Sequence, residues 1–224
     1  MIIAIDGTTS SGKTSISKAL GAKLNCPTIN TGSIYRAIAY KTTLLNIQPE
    51  NEELIKTMLN STIIEVSFVA GNNYIKIDGL FPTQNDLSSP EISNLTPKIA
   101  NKPFVREFVR KIQKQLANDN NNIIVEGRDI GSVVFPNADF KFYIDADIET
   151  RAKRRLKDYI SQGKNYSLQQ VVDDVLKRDN QDQYRDNSPL IMTSDSILID
   201  TTDLTIEQCV KKLISIIEEK EKNN

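Results

Sequence analysis

The stretch GTTSSGKT, residues Gly7 to Thr14, decides the fold because it fits the G-x-x-x-x-G-K-[ST] pattern of a phosphate-binding loop. In that pattern the glycines let the backbone wrap round an anion with its N–H groups pointing inward. Lys13 reaches the β and γ phosphates, and the Thr14 hydroxyl can hold Mg²⁺. A chance glycine- and serine-rich loop is the alternative, but an apolar strand precedes the stretch and an amphipathic helix follows it. The sequence therefore predicts a nucleoside triphosphate with Mg²⁺ as the ligand.

Short apolar runs recur along the chain, separated by longer stretches in which apolar residues have helical spacing. The runs are MIIAI at 1–5, PTIN at 27–30, NNIIV at 121–125, FKFYI at 140–144 and SILI at 196–199. Short buried strands that alternate with helices indicate a parallel sheet covered on both faces. With the loop, this predicts an α/β protein with the three-layer P-loop NTPase fold, a five-stranded parallel sheet with helices on both faces. One predicted helix, within 102–116, has an apolar stripe of Val105, Phe108, Val109, Ile112 and Leu116.

Residues 62–80 interrupt this alternation with two strand-like runs around GNN, which predicts a β-hairpin. With its flanks, the hairpin forms an insertion at about 45–100. The arginine-rich stretch RAKRR follows a strand end and precedes SQGKN, which suggests a short lid at about 151–165. The remaining stretches, about 1–45, 100–150 and 165–224, form the core of a single predicted domain.

The composition narrows the classes of function. The formal net charge is −1, so the chain has no bulk attraction to nucleic acid or to an anionic membrane. No apolar run approaches the roughly 20 residues that span a bilayer, and the first residues lack the features of a signal peptide, so we expect a cytoplasmic protein. The chain has no histidine and two cysteines, which excludes histidine-based catalysis, a disulfide framework and a zinc site.

Polar side chains follow three of the predicted strands. They are Thr31 and Arg36 after the second run, Glu126, Arg128 and Asp129 after the third, and Arg151, Arg154 and Arg155 after the fourth. Because ligands of open parallel sheets bind beyond the carboxyl ends of the strands, we expect these groups to lie near the phosphate loop. Arg178, Asp182 and Arg185 share one face of a predicted helix. That face suits a ligand with phosphate and hydroxyl groups, and a solvated face held by Asp–Arg pairs is the alternative.

Six segments occur in a recognisable order along the chain. They are IDGTTSSGKTSISKAL, NTGSIYRAIA, KPFVRE, EGRDIGSVVFPNADFKFYIDA, RAKRR and RDNQDQYRDNSPL. Together they closely resemble the bacterial-type cytidylate kinases over nearly the whole length, and GRDIGSVVFP followed by R-D-x-x-D-x-x-R separates this family from other nucleoside monophosphate kinases. The resemblance implies phosphoryl transfer from ATP, with Mg²⁺, to CMP or dCMP, giving CDP or dCDP. It also implies a monomer whose partners are small-molecule nucleotides, and it makes the insertion the nucleoside monophosphate-binding part.

The resemblance implies roles residue by residue. The implied ATP ligands are Gly7, Thr8, Thr9, Ser10, Ser11, Gly12, Lys13, Thr14 and Ser15 of the loop, with Arg151, Arg154 and Arg155 of the lid. The implied CMP ligands are Arg36, Arg128 and Arg185 for the phosphate, Arg178 and Asp182 for the ribose, Arg106 and Asp129 for the base, and Thr31, which keeps a family hydroxyl. The implied catalytic set is Lys13, Arg128, Arg154 and Arg155. The chain departs from the family at Pro97, where a base-reading serine is expected beside Thr96, and at Gln181, where arginine is common.

A phosphate acceptor accounts for the lack of histidine, because a phosphate monoester with a second pKa of ~6 is largely dianionic at neutral pH and needs no general base. The arginines would instead bring two charged phosphates together and stabilise a loose transition state. Two other functions stay open at this point. A kinase of a hydroxyl acceptor, such as shikimate or a nucleoside, would use Asp6 or Glu126 as its base. A non-catalytic nucleotide switch is disfavoured because the sequence has no N-K-x-D guanine motif and many acceptor-like arginines.

Overall fold

The computed structural model describes residues 1–69, 72–161 and 163–222. Ala70 and Gly71 of the predicted hairpin, Gln162 of the predicted lid and the last two residues of the chain lie outside the described residues. The strands are β1 Ile2–Gly7, β2 Thr28–Asn30, β3 Ile64–Val69, β4 Asn72–Ile77, β5 Ile123–Glu126, β6 Phe140–Asp145 and β7 Ile197–Asp200. The helices are α1 Lys13–Leu24, α2 Thr31–Leu44, α3 Glu52–Asn60, α4 Gln84–Ser88, α5 Pro90–Ala100, α6 Pro103–Asn118, α7 Ile148–Ser161, α8 Leu168–Gln183 and α9 Ile206–Lys222, with a π-helical turn at Ile130–Val134. None of the helices in the described part of the chain is long and apolar enough to cross a membrane.

Five strands form one sheet in the order β2-β5-β1-β6-β7. β1 pairs in parallel with β6, with Ile5 opposite Phe142, and β6 pairs in parallel with β7. The side chains of Ile3, Ile5 and Phe142 are buried, as expected for parallel strands whose two faces are both covered by helices. The predicted α/β fold with a five-stranded parallel sheet is confirmed.

β3 and β4 form a separate antiparallel pair, in which Ile64 faces Ile77 and Val66 faces Ile75. Along β3, half-buried and exposed side chains alternate, which is the pattern of a strand with one covered face. At the base of the pair, the Lys41 ammonium of α2 lies 2.5 Å from a carboxylate oxygen of Asp78. The predicted hairpin is therefore confirmed.

The chain divides into two compact units, Met1–Cys26 with Ile124–Asn224, and Pro27–Ile123. In the first unit, Phe142 of the sheet and Leu213 of α9 belong to one buried apolar cluster. In the second unit, α2 packs on α5, and Ile38 is fully buried. The predicted insertion falls within the second unit, and most of the predicted lid is helix α7. The functional division into core, insertion and lid stays a prediction.

Helix α6 buries part of the predicted apolar stripe, namely Val105 and Val109. Phe108 and Ile112 of the predicted stripe are only half-buried, whereas the polar side chains of Arg106 and Gln113 are buried. The Gln113 amide donates a hydrogen bond of 2.9 Å to the hydroxyl of Thr31 on α2. The prediction from apolar spacing is therefore confirmed only for Val105 and Val109, and the buried face includes polar residues because hydrogen-bond partners outside the helix allow them to be buried.

Candidate active site

The phosphate loop connects β1 to α1 and depends on two glycines with positive φ. At Gly7, with φ of 146°, a side-chain Cβ would lie 1.9 Å from the carbonyl oxygen of Ile144. At Gly12, with φ of 95°, the backbone is left-handed, and no side chain in the described part of the protein caps the start of α1. Backbone N–H groups at the start of a helix bind anions when no side chain occupies them. The loop therefore has the geometry that its sequence pattern predicts.

Lys13 is a buried cation within the loop. Its ammonium donates hydrogen bonds to the carbonyl oxygen of Thr8 and, at 3.3 Å, to the hydroxyl of Ser11. Burial, and after it the nearby positive charge of Arg128, lower the pKa of Lys13 to about 7. Neither hydrogen-bond partner carries a negative charge. The carboxylates of Glu126, Asp182 and Asp6 raise its pKa only in part, so a phosphate group at the loop would add a directly bonded counter-charge.

Thr14 and Glu126 form a pair of oxygen ligands beside the loop. The Thr14 hydroxyl donates a hydrogen bond of 2.8 Å to Oε1 of Glu126. The other carboxylate oxygen of Glu126 is buried and has no hydrogen-bond partner among the described residues, and burial raises the pKa of this carboxyl. The described residues contain no group of three or more His, Cys, Asp or Glu side chains that could hold a metal by itself. A magnesium ion at this pair would therefore need phosphate oxygens as further ligands.

Three arginines surround the carboxylate of Asp182. Nε of Arg128 lies 2.8 Å from Oδ2 of Asp182, Nη1 of Arg185 lies 3.5 Å from Oδ1, and Nε of Arg178 lies 3.7 Å from Oδ2. Burial alone would raise the pKa of Asp182, but Arg128 and Arg178 outweigh it, and the pKa is lowered. The structure thus brings together four of the predicted CMP ligands, with three positive charges around one negative charge.

Asp129 is buried beside this cluster, at the start of the π-helical turn. Nη2 of Arg185 lies 3.9 Å from Oδ1 of Asp129. The turn that follows is held by Asp6, whose carboxylate accepts hydrogen bonds from the backbone N–H groups of Ile130 at 2.9 Å and Gly131 at 2.7 Å. Asp6 therefore fixes the backbone directly after Asp129.

The carboxyl of Asp6 should make stability depend on pH, because burial raises its pKa to about 6 from 3.8. Between about pH 4 and 6 the unfolded chain ionises Asp6 while the folded chain keeps the proton, so stability falls as pH rises. At neutral pH the shift corresponds to a loss of roughly 3 kcal/mol in the free energy of unfolding. The free energy of unfolding should be measured by urea titration at pH 4.5 and 7. Relative to the parent chain, we expect the free energy of unfolding of Asp6→Asn to be about 2 kcal/mol higher at pH 7 than at pH 4.5. The exposed substitution Asp119→Asn is the control, and an identical difference at both pH values for Asp6→Asn would contradict the assignment.

The three arginines predicted in the lid lie on α7. Arg154 donates to the carbonyl oxygen of Ser11 at 3.3 Å and to the carbonyl oxygen of Thr201 at 2.6 Å. The guanidinium of Arg155 lies 4.6 Å from the centre of the Tyr159 ring. Its Nε is buried without a hydrogen-bond partner in the described part of the chain. Arg151 is buried and forms an ion pair with Asp179. Its Nη1 also donates to the carbonyl oxygen of Thr9 at 3.1 Å. Two of the three, Arg151 and Arg154, therefore contact the loop backbone directly.

Three further predicted CMP ligands lie in the second unit. Arg36 donates hydrogen bonds to the carbonyl oxygen of Leu87 at 2.8 Å and to the Ser93 hydroxyl at 3.1 Å. The guanidinium of Arg106 lies 5.6 Å from the centre of the Tyr35 ring. The hydroxyl of Thr31 accepts the hydrogen bond from the Gln113 amide. Each of the three is thus fixed by contacts within its own unit.

Thr96, which stands beside the unmatched Pro97, is buried and uses its hydroxyl locally. It donates a hydrogen bond of 2.6 Å to the carbonyl oxygen of Ile92, one turn earlier in α5. A threonine hydroxyl that donates to the i−4 carbonyl has its proton occupied. Its oxygen remains an acceptor only, so it does not reproduce the full hydrogen-bonding capacity of a free serine.

The sequence predictions gave no role to Asp179, although it is part of the R-D-x-x-D-x-x-R motif, and they missed Gln113. Both are buried and bonded to predicted site residues. Asp179 continues the buried stripe of Val171 and Val175 along α8, so helical spacing extended through charged positions could have found it. Gln113 gave no such signal, because a polar residue in a helix is usually exposed.

Comparison with known proteins identifies the family. A family model described as cytidylate kinase matches residues 3–219. The cytidylate kinase of Clostridium botulinum strain Langeland is 42% identical over 215 residues, which cover 96% of each chain. The cytidylate kinase of Caldicellulosiruptor bescii is 37% identical over 221 residues, covering 99% of this chain and 97% of that protein.

Solved structures share the fold at low sequence identity. An uncharacterized protein from Eubacterium ventriosum has a TM-score of 0.52 at 14% identity, covering 97% of this chain and 98% of that chain. Shikimate kinase from Bacteroides thetaiotaomicron has a TM-score of 0.50 at 16% identity, with the same coverage. These likenesses concern the fold alone, whereas the family match spans nearly the whole sequence. The chain belongs to the cytidylate kinase family.

Proposed function

We propose that the protein transfers the γ-phosphoryl group of ATP to CMP or dCMP, giving ADP with CDP or dCDP. The family match and the names of the curated relatives support this activity. The observation that carries it is the cluster around Asp182, where three guanidiniums meet a single carboxylate. Such an excess of positive charge suits a phosphate dianion, because forked guanidinium donors match phosphate oxygens.

The arrangement favours a phosphate acceptor over a hydroxyl acceptor. A hydroxyl acceptor calls for a carboxylate that can take its proton. Of the two candidates, Asp6 already accepts two backbone N–H groups, and Glu126 is bonded to Thr14. For a dianionic phosphate, Lys13 would hold the donor phosphates while Arg128 and Arg185 hold the acceptor. Rate would then come from positioning and charge neutralisation.

We assign Mg²⁺ to the Thr14 hydroxyl together with the phosphate oxygens of ATP. The unpartnered, buried oxygen of Glu126 supports this assignment, since carboxylate and hydroxyl oxygens are the ligands that Mg²⁺ prefers. When bound, the ion would neutralise charge on the phosphates of the donor. The role of Glu126 would be to orient the Thr14 hydroxyl and to accept from the hydration shell of the ion.

The remaining residue roles are proposals of the same kind. We propose that ATP contacts Gly7, Thr8, Thr9, Ser10, Ser11, Gly12, Lys13, Thr14 and Ser15, with Arg151, Arg154 and Arg155. We propose that CMP contacts Thr31, Arg36, Arg106, Arg128, Asp129, Arg178, Asp182 and Arg185. The burial of Asp129 and Asp182 and the arginines around them support the second set.

Acceptor dependence tests the activity. ADP release should be measured by a coupled assay with CMP, dCMP, UMP, AMP and shikimate, each with and without excess chelator. We expect release with CMP and dCMP, and none once Mg²⁺ is chelated. ADP release that needs no acceptor would indicate an ATPase or a nucleotide switch. Release with shikimate alone would indicate a hydroxyl-acceptor kinase.

Asp129→Ala should weaken the choice of base. A buried carboxylate can accept from the exocyclic amine of cytosine, which uracil lacks, and losing such a contact costs about 1–3 kcal/mol. We therefore expect kcat/KM for CMP to fall by about 10- to 100-fold while KM for ATP stays within about twofold. Asp158→Ala, an exposed acid on α7, is the control. A matched loss for CMP and ATP in a folded variant would rule out the base contact.

We further propose that the protein works as a cytoplasmic monomer whose partners are nucleotides. The near-zero net charge supports the absence of nucleic-acid and membrane partners. Light scattering during size-exclusion chromatography would test the monomer, and a mass near 50 kDa, twice the 25.2 kDa of one chain, would contradict it.

A further inference from the structure

Asp179 of α8 is a buried acid that neither the proposed chemistry nor the family motif roles employ. Its Oδ1 accepts a hydrogen bond of 2.8 Å from the backbone N–H of Thr9, in the phosphate loop. Its Oδ2 accepts a hydrogen bond from Nη1 of Arg151. Both Asp179 and Arg151 are less than 10% exposed, so this link is shielded from solvent.

Arg151 completes a closed set of contacts on the same loop residue. Its Nη1 also donates to the carbonyl oxygen of Thr9 at 3.1 Å, and its Nε donates to the carbonyl oxygen of Ala146 at 2.9 Å. The backbone N–H and the carbonyl of Thr9 are therefore both held by side chains from α7 and α8. Thr8 is held as well, because its hydroxyl donates to Asp145 at 2.5 Å.

Helix α8 also carries two members of the cluster around Asp182, namely Arg178 and Asp182 itself. Arg178 directly precedes Asp179, and Asp182 lies three residues after it, so both the cluster and the loop contact depend on the position of α8. A shift of α8 that accommodates a phosphate at the cluster would also pull or release the N–H of Thr9. Because a helix moves as a packed unit rather than residue by residue, such a shift would transmit binding at the cluster to the phosphate loop.

We propose that Asp179 is a positioning residue that couples the acceptor cluster to the phosphate loop, so that CMP and ATP each change the affinity for the other. The inference rests on the proposed function, because it needs CMP at the arginine cluster. Coupling between two ligands is reciprocal, so the same factor must appear whichever ligand is titrated first. An ion pair between α7 and α8 with a structural role alone would stabilise the fold, and the affinity for each ligand would not depend on the other ligand.

Asp179→Asn tests the coupling with little change in shape. The oxygen of the asparagine amide can accept a hydrogen bond from only one side, either from the N–H of Thr9 or from Arg151. The NH₂ group then faces the other donor, with which it cannot form a hydrogen bond. Dissociation constants should be measured for CMP and for a non-hydrolysable ATP analogue with Mg²⁺, each alone and with the other ligand saturating. Asp173→Asn, an exposed acid on the same helix that accepts from Gln169, is the matched control.

In the parent chain and in the control we expect a coupling factor of about 5 or more. In Asp179→Asn we expect the ATP analogue alone to bind roughly tenfold more weakly, since a charge-assisted contact to the loop is lost. The coupling factor should fall close to 1, while CMP alone binds within about twofold of the parent. If Asp179→Asn does not fold, Arg151→Lys replaces it, because the single nitrogen of lysine keeps the charge but cannot make the Nε bond to Ala146 together with the Nη1 bonds to Asp179 and Thr9.

An unchanged coupling factor in a folded variant, or a parent factor of 1 with an active enzyme, would overturn the coupling alone. A parent chain that neither binds nor phosphorylates CMP would overturn the proposed function. The two failures are therefore distinguishable, because the first occurs with CMP kinase activity present and the second without it.

Discussion

Lys13→Met should lower phosphoryl transfer from ATP to CMP by about 10³-fold, the size of effect seen when one preorganised donor to transition-state charge is removed. The same substitution should leave the stability of the nucleotide-free protein within about 1 kcal/mol of the parent, or raise it. The reason for both is that Lys13 is a buried cation whose two hydrogen-bond partners, Thr8 and Ser11, are uncharged. Its pKa is lowered to about 7 from 10.5, so below pH 7 the folded protein bears the full unfavourable free energy of the buried charge. Methionine of similar length removes that charge and fills the same space.

The two measurements are a coupled assay of ADP release and urea unfolding at pH 6. Lys23→Met, an exposed lysine in the last turn of α1, is the matched control and should change neither. A loss of activity below tenfold would remove Lys13 from the catalytic set. A loss of several kcal/mol in the free energy of unfolding would show that Lys13 stabilises the folded loop rather than the transferred phosphate.

Arg128→Met should lower kcat/KM for CMP by about 10³-fold, because an arginine that meets transferring phosphates can contribute 10³–10⁵. It should also lower the free energy of unfolding by about 2–3 kcal/mol, somewhat less than the 3–5 kcal/mol typical of breaking a buried ion pair. The reduction is smaller because Asp182 keeps Arg178 and Arg185, although their nitrogens lie farther from its oxygens, at 3.7 and 3.5 Å against 2.8 Å for Arg128.

The double variant Arg128→Met/Asp182→Asn separates folding from function. Without Arg128 the carboxylate keeps only its longer contacts with Arg178 and Arg185, so neutralising it should return part of the lost stability while the activity stays low. Urea unfolding and steady-state kinetics with CMP as the varied substrate measure the two effects. Recovery of activity in the double variant would show that Arg128 acts only as a counter-ion for Asp182.

The phosphate loop and the sheet were predictable because each has a local cause. The loop needs glycine where Gly7 would otherwise meet the carbonyl of Ile144 and where Gly12 is left-handed. Each strand needs a short apolar run, because both of its faces are covered. Such requirements are written into a few neighbouring residues. The site residues proposed from family motifs were predicted for the same reason.

The partners of the charged residues were not predictable from local pattern. Asp179 and Thr9 are 170 positions apart, and the spacing of residues on α8 does not say which segment its buried face meets. Arg151 illustrates the difficulty, since a run of arginines after a strand is usually solvent-facing, yet this one is buried between Thr9, Ala146 and Asp179. Burial of a charge depends on the exact position of its counter-ion, which only the assembled fold supplies.

The clamp that Asp6 forms on Ile130 and Gly131 bears on attempts to re-engineer the accepted nucleobase. Under the proposed function, position 129 is the one a directed-evolution library would randomise first. The backbone that follows this position is held by Asp6, so the turn should keep its shape when the side chain at position 129 is changed. Gly131 offers less freedom, since a Cβ there would lie 3.2 Å from the side chain of Lys141 and that side chain would have to shift. Libraries should therefore vary Asp129 and leave Asp6 and Gly131 invariant as the scaffold.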